Sequence, residues 1–184
     1  LVVCTGSQNN VRRAYSSGTP AIGVGAGNVP VIIDSTADLA DAAEKIMLSK
    51  CFDNATSCSS ENSVTIVEEV YEDAIKALQA VGGYLCTAAD KQSIQDTLWI
   101  DGHLNRNVIA KDPDVFARTC GLPKVAETAK FFMVEDDSGV GKGKPFSDEK
   151  LSLALTIYKA RDFVEAKAHV QNVLDFVGMG HSVG

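Results

Sequence analysis

Cys58 lies in the run Cys51-Phe-Asp-Asn-Ala-Thr-Ser-Cys58-Ser-Ser-Glu-Asn-Ser63, a thiol set in a polar turn among small, hydroxylated residues. As a thiolate it is a nucleophile, and the small neighbours leave room for a substrate carbonyl beside it. Backbone N–H groups at such a turn can stabilise the oxyanion formed when a thiolate adds to a carbonyl. Cysteine is also among the most buried residue types, and an arbitrary cysteine is more often core filling. The polar surroundings of Cys58 reverse that preference and mark it as the candidate nucleophile. The other thiols are Cys4, Cys51, Cys86 and Cys120. They contain no Cys-x-x-Cys pair, and an odd total of five cannot all be paired. That favours a reducing, cytoplasmic setting over a zinc cluster.

Thr5-Gly6-Ser7-Gln8 follows a strand-like run and precedes a helical one, so its free N–H groups and the helix dipole could face an anion. Gly23-Val-Gly-Ala-Gly-Asn28 invites a dinucleotide-fingerprint reading, but its glycines lead into a strand and Asn28 stands where the last glycine belongs. The fingerprint is therefore rejected. Gly25 and its neighbours still allow close approach to a flat ligand, with a plain crossover turn as the equal alternative. Glu149, taken alone, reads as a solvated glutamate ahead of a strand. His169 falls on an amphipathic helix and reads as surface, and His103 reads as a loop residue. His181, between Gly180 and Ser182, is an ordinary structural histidine on residue type alone.

The elements that must position these groups alternate. Residues 1–4 read as a buried strand, and 29–34, 63–68, 130–135 and 151–158 as further strands. Helices are expected over 9–16, from capping-box spacing at Ser35-Thr-Ala-Asp38 to about Phe52, and over 70–81, 87–98, 112–120 and 162–177. In the helix before Phe52, Leu39, Ala43, Ile46 and Met47 or Lys50 share one side. Alternation of this kind predicts an α/β fold, a mainly parallel sheet flanked by helices.

At 184 residues, with 45% apolar and 22% charged content, the chain suits one soluble domain with a real core. Seventeen basic against twenty-four acidic residues leave a net charge of −7, which argues against nucleic acid and anionic membranes as partners. No apolar run approaches the roughly 18 residues of a membrane span. Leu1 opens inside an apolar run without an initiator Met, and the last residues read as the start of a strand. The chain is expected to be part of a longer enzyme.

Three stretches, in order, resemble the CoA-acylating aldehyde dehydrogenases. Phe52-Asp-Asn-Ala-Thr-Ser-Cys58-Ser-Ser-Glu-Asn-Ser63 is similar to the family's nucleophile segment, Ala14 to Asp34 to the segment upstream of it, and Phe146-Ser-Asp-Glu149-Lys-Leu-Ser152 to its glutamate motif. Ala55 to Asn62 looks closest to enzymes acting on sulfoacetaldehyde. The resemblance implies the aldehyde dehydrogenase catalytic-domain fold over 28–184, with residues 1–27 the end of the nicotinamide-cofactor domain and a crossover near Gly27. It implies that Gly6 and Ser7 meet the cofactor, that the loop at Gly25 passes the nicotinamide, that Glu149 holds its ribose hydroxyls, and that His181 lies near the active site as a second candidate catalytic residue beside Cys58. Hydrolytic members carry a glutamate base where this chain has Val24, which cannot abstract a proton. A thiol acceptor needs less activation than water, so the missing base points to coenzyme A.

The reading that follows is an NAD- or NADP-dependent oxidation of a small aldehyde, acetaldehyde or sulfoacetaldehyde, to an acyl-CoA through a Cys58 thioester. The full-length protein is expected to be a homo-oligomer, its oligomerisation hairpin following Gly184. The chain by itself is expected to bind cofactor poorly and turn over nothing. A hydrolytic dehydrogenase with another base, or a non-catalytic assembly module, are the alternatives.

Overall fold

The computed structural model describes residues 1–5, 8–24 and 27–184. β1 (Val2–Cys4) leads into α1 (Gln8–Tyr15), which returns the chain to β2 (Ala21–Gly23). β1 and β2 pair in parallel as a two-stranded sheet of their own, and α1 buries Val11 and Ala14.

The rest alternates as the hydrophobic pattern predicts. β3 (Pro30–Ile33) is followed by α2 (Leu39–Cys51), β4 (Ser63–Val67), α3 (Tyr71–Ala80), β5 (Gly83–Leu85) and α4 (Ala88–Leu98). A small antiparallel pair, β6 (Trp99–Ile100) and β7 (His103–Leu104), and α5 (Pro113–Thr119) intervene before β8 (Phe131–Glu135), β9 (Ala154–Ala160) and α6 (Phe163–Val177). Five strands form one parallel sheet in the order β3-β4-β9-β8-β5. Strands of such a sheet are covered on both faces, so they carry continuous apolar runs. Phe131, Phe132, Met133 and Val134 accordingly show no exposure. They join Val64, Ile66, Leu155 and Ile157 in a core closed by Ala43 and Ile46 of α2 and Ala74 and Leu78 of α3.

Local chemistry fixes the helix starts. Asp38, not Ser35, caps α2: its carboxylate accepts the N–H groups of Ala40 and Asp41. The four residues before it are instead turned by Asp34, whose side chain accepts both the N–H and the hydroxyl of Thr36. Thr87 and Asp90 form a reciprocal capping box on α4.

Four expectations need correction. His103 lies in β7, paired with Ile100, and not in a loop. β1, expected to be buried, is exposed at Val2 and Val3 because only one strand pairs with it. β9 begins at Ala154, three residues later than the alternation suggests. Leu151 is left-handed (φ 44°) and its carbonyl is taken by the Ala110 N–H, so the ladder cannot start there. His169 is half-buried, its ring centroid 4.2 Å from that of Tyr158. Helical periodicity cannot reveal that a strand tyrosine rises to meet it. Among the described residues, no helix is long and apolar enough to cross a membrane.

Candidate active site

Helix α2 delivers the chain to the Cys58 turn through a strained segment. Asp53, Asn54 and Ala55 have φ of 50°, 52° and 59°, left-handed conformations costing about 1–2 kcal/mol for each non-glycine residue. Asp and Asn tolerate this best. The strain is held in place: the Thr56 N–H and hydroxyl both donate to the Asp53 carbonyl, at 3.0 and 2.6 Å. The Asn54 amide donates to Asp112 at 2.8 Å, and Ala55 is buried in the core. Consecutive strained residues persist only where surroundings enforce them, and they gather at functional turns.

The next four residues close on themselves, the Ser60 N–H donating to the Ser57 carbonyl at 3.0 Å. Cys58 occupies a central position of that turn and is exposed. The hydroxyls of Ser57 and Ser59 bond to each other across it at 2.9 Å. Other thiols are placed differently. Cys86 and Cys120 are buried, and burial pushes both thiols up, Cys120 to about 12. Cys51, half-buried, is also raised by burial and donates to the Lys130 carbonyl. Cys58 is the exposed thiol of the five.

Asn62 fastens the turn to its surroundings. Its N–H donates to the Val29 carbonyl at 2.9 Å, its carbonyl accepts the Thr156 N–H, and its side-chain oxygen accepts the Lys150 N–H at 3.0 Å. Asn28, buried beside it, donates to the Ser147 carbonyl at 2.9 Å. The crossover at 28–29, the thiol turn and the Glu149 loop are thereby locked together at the start of β4. Sequence reasoning had given Asn28 and Asn62 no role. A visible signal was two asparagines flanking apolar strands, where an amide is tolerated only if its bonds are made.

Glu149 and His181 arrive at the same region. Burial, helped by Asp148, pushes the Glu149 carboxyl up, while the charge of His181 pulls it down. His181 is half-buried and crosses directly over Gly27, which forms a β-bridge with Met179. A side-chain carbon on Gly27 would meet His181 Cδ2 at 2.6 Å and its backbone nitrogen at 2.9 Å. The chain end then runs beside β3, Gly184 exchanging hydrogen bonds with Pro30 and Ile32. Val24 is exposed and supplies no base. Gly6, Ser7 and Gly25 lie outside the described residues.

Two cavities are also present. One, of about 390 Å³, lies at the carboxyl ends of the strands among Tyr71, Lys91, Glu135, Asp136 and Lys159. A second, of about 470 Å³, is bounded by Trp99, Lys142, Lys144, Asp148 and Phe176, beside the Glu149 loop. Cys58 lines neither.

No protein-family model matches the chain. Over 183 residues it is 49% identical to the sulfoacetaldehyde dehydrogenase (acylating) of Cupriavidus necator, an alignment taking in 100% of this chain and 37% of that protein. An acetylating aldehyde dehydrogenase from Geobacillus thermoglucosidasius superposes with a TM-score of 0.92 at 38% identity, over 99% of this chain and 40% of its own. Proteins named as acylating aldehyde dehydrogenases thus match this chain from end to end. The chain spans well under half the length of the relatives it matches. The Rhodopseudomonas palustris propionaldehyde dehydrogenase with bound CoA and an acylated cysteine matches with a TM-score of 0.82 at 27% identity, over 93% of this chain and 38% of its own. An engineered glycolyl-CoA reductase with bound NADP+ matches with the same TM-score and identity, over 94% and 39%.

Proposed function

We propose that the protein oxidises a small aldehyde to an acyl-CoA, reversibly, with Cys58 as the covalent carrier. The observation that carries this is the exposed Cys58 thiol in a turn entered through three strained, braced residues; the resemblance adds that Val24 matches the position of the water-activating glutamate of hydrolytic members. The Cys58 thiolate adds to the aldehyde carbon, and the carbonyl π electrons pass to oxygen. The Cys58 backbone N–H, with a second donor, is the group we assign to that oxyanion. A nicotinamide cofactor, when bound, would supply the hydride acceptor, and collapse of the oxyanion leaves the acyl group as a thioester on Cys58. Attack by the CoA thiolate then transfers the acyl group and restores the Cys58 thiolate.

Glu149 suits the ribose of that cofactor, because a carboxylate accepts two hydrogen bonds at once. His181, wedged over Gly27, holds the crossover in place. NADP+ in the engineered reductase and CoA in the propionaldehyde enzyme support this pair of ligands; NAD or NADP remain equal choices. The 49% identity to the Cupriavidus necator enzyme makes sulfoacetaldehyde the first substrate to test. We also infer that residues 1–27 close the cofactor domain and 28–184 form the catalytic one, that the enzyme is a cytoplasmic homo-oligomer, and that this chain alone is inactive. The separate β1-β2 sheet supports the division.

The test is reduced-cofactor formation from sulfoacetaldehyde and from acetaldehyde by the complete enzyme, with and without CoA. Omitting CoA should slow turnover by about a hundredfold or more, the contribution of a general base that Val24 cannot make. Equal rates in both arms would favour the hydrolytic alternative.

A further inference from the structure

Lys50 and Lys150 have no part in that chemistry, yet they are 1% and 0% exposed. Lysine is almost never buried so deeply unless its charge is compensated. Taking an ammonium out of water is costly, and an aliphatic side chain could fill either position more cheaply. Both lysines spend their donors on backbone carbonyls. Lys50, on the last turn of α2, donates to the Glu61 carbonyl at 2.8 Å, three residues beyond Cys58. Lys150 folds back over its own loop and donates to the carbonyls of Phe146 at 2.9 Å and Asp148 at 2.8 Å, enclosing Glu149. The Phe146 carbonyl also accepts the Thr156 hydroxyl of β9 at 2.8 Å, so the loop is tied to the sheet at the same atom.

The two lysines belong to one assembly. The Lys150 N–H donates to the Asn62 side chain, directly after the Glu61 carbonyl that Lys50 holds. Their charges are close enough to oppose each other, the Lys50 charge adding to burial in disfavouring the Lys150 ammonium. Burial likewise pushes Lys50 down to about 7, against weaker pulls from Glu61 and Cys51. Fixed carbonyls give each ammonium a preferred direction. Each amine in turn gives an otherwise irregular loop one conformation, because a hydrogen bond closed inside the low-dielectric interior is costly to break.

We propose that Lys50 and Lys150 are positioning residues, Lys50 fixing the Cys58 turn through the Glu61 carbonyl and Lys150 fixing the Glu149 loop through the Phe146 and Asp148 carbonyls. Asn62 joins the two, so that nucleophile and cofactor loop are held in one register. What is positioned rests on the roles assigned above to Cys58 and Glu149; that the lysines brace these two segments does not.

The experiment compares Lys50→Met, Lys50→Gln, Lys150→Met and Lys150→Gln with the parent in the complete enzyme. Hydrogen–deuterium exchange is read over 57–62 and 146–150, and steady-state kinetics are measured beside it. Methionine keeps the length and removes the donor; glutamine keeps a neutral donor. Lys50→Met should speed exchange over 57–62 by about tenfold and lower kcat by a similar factor with the cofactor KM unchanged, the size expected for one lost buried hydrogen bond. Lys150→Met should speed exchange over 146–150 and raise the cofactor KM by about tenfold instead. Each glutamine variant should recover most of what its methionine partner loses. Parental exchange and kinetics in the methionine variants would overturn the proposal, as would glutamine variants no better than methionine. Should a methionine variant fail to fold, the glutamine variant decides alone, near-parental behaviour supporting the proposal and a collapse of kcat or KM overturning it. A parent without CoA-dependent turnover would defeat the proposed function, and the exchange arms would still judge the lysines.

Discussion

Cys58 is exposed just beyond three left-handed residues, Asp53, Asn54 and Ala55, that turn the chain after α2. The nucleophile was legible from its polar neighbours, and the Asp-Asn pair was a readable sign of left-handed backbone. Lys50 was harder, since a lysine in an apolar stripe reads as a surface residue at its edge. Its burial depends on a carbonyl that a later segment supplies. Differential exposure makes a direct prediction: iodoacetamide at neutral pH should modify Cys58 faster than Cys86 or Cys120, by about tenfold or more, since buried thiols are inert. Peptide mapping after a timed exposure reads this out, and equal labelling would contradict it. Gly27 gives a second. Gly27→Ala should displace His181 and destabilise the protein by about 1–3 kcal/mol, an overpacking cost. Urea midpoints would measure it; an unchanged midpoint would mean that the contact yields freely.

At the scale of elements, the helices were legible where a cap and a period coincide. Thr87 to Leu98 and Asp162 to Val177 fall within a residue of their expected ends. The boundaries that moved were set by partners distant in sequence. Ala110 captures the Leu151 carbonyl and delays β9, and Tyr158 draws His169 inward. The glutamate motif was visible as a string, whereas its fastening to Asn28, Asn62 and Thr156 exists only once the strands lie side by side. The end of α2 carries a pH signature. Lys50 sits at about 7 folded against 10.5 in the free side chain, so between those values the unfolded chain binds the extra proton. Stability due to this residue therefore rises with pH across that window, and is lowest at and below the folded value. Removing it in Lys50→Met should shift the difference in unfolding free energy in the parent's favour by about 2 kcal/mol between about pH 7 and pH 9. A difference independent of pH would show that Lys50 keeps an ordinary proton affinity.

Over the whole molecule, a parallel sheet collects at one edge what the sequence spreads over more than a hundred residues. The register sets Ser63 beside Pro30 on one side and Thr156 on the other, so the thiol turn, the crossover and the glutamate loop meet where β3, β4 and β9 begin. The order of the three resembling stretches says nothing of this meeting, which depends on strand register. Neither cavity is lined by the nucleophile. All of the proposed chemistry passes through one covalent state. The complete enzyme should be incubated with an acyl-CoA in the absence of reduced cofactor, then digested and examined by mass spectrometry. An acyl group on Cys58, lost on addition of free CoA and absent from Cys58→Ala, is the predicted result. Acylation at another residue, or none at all, would contradict the account.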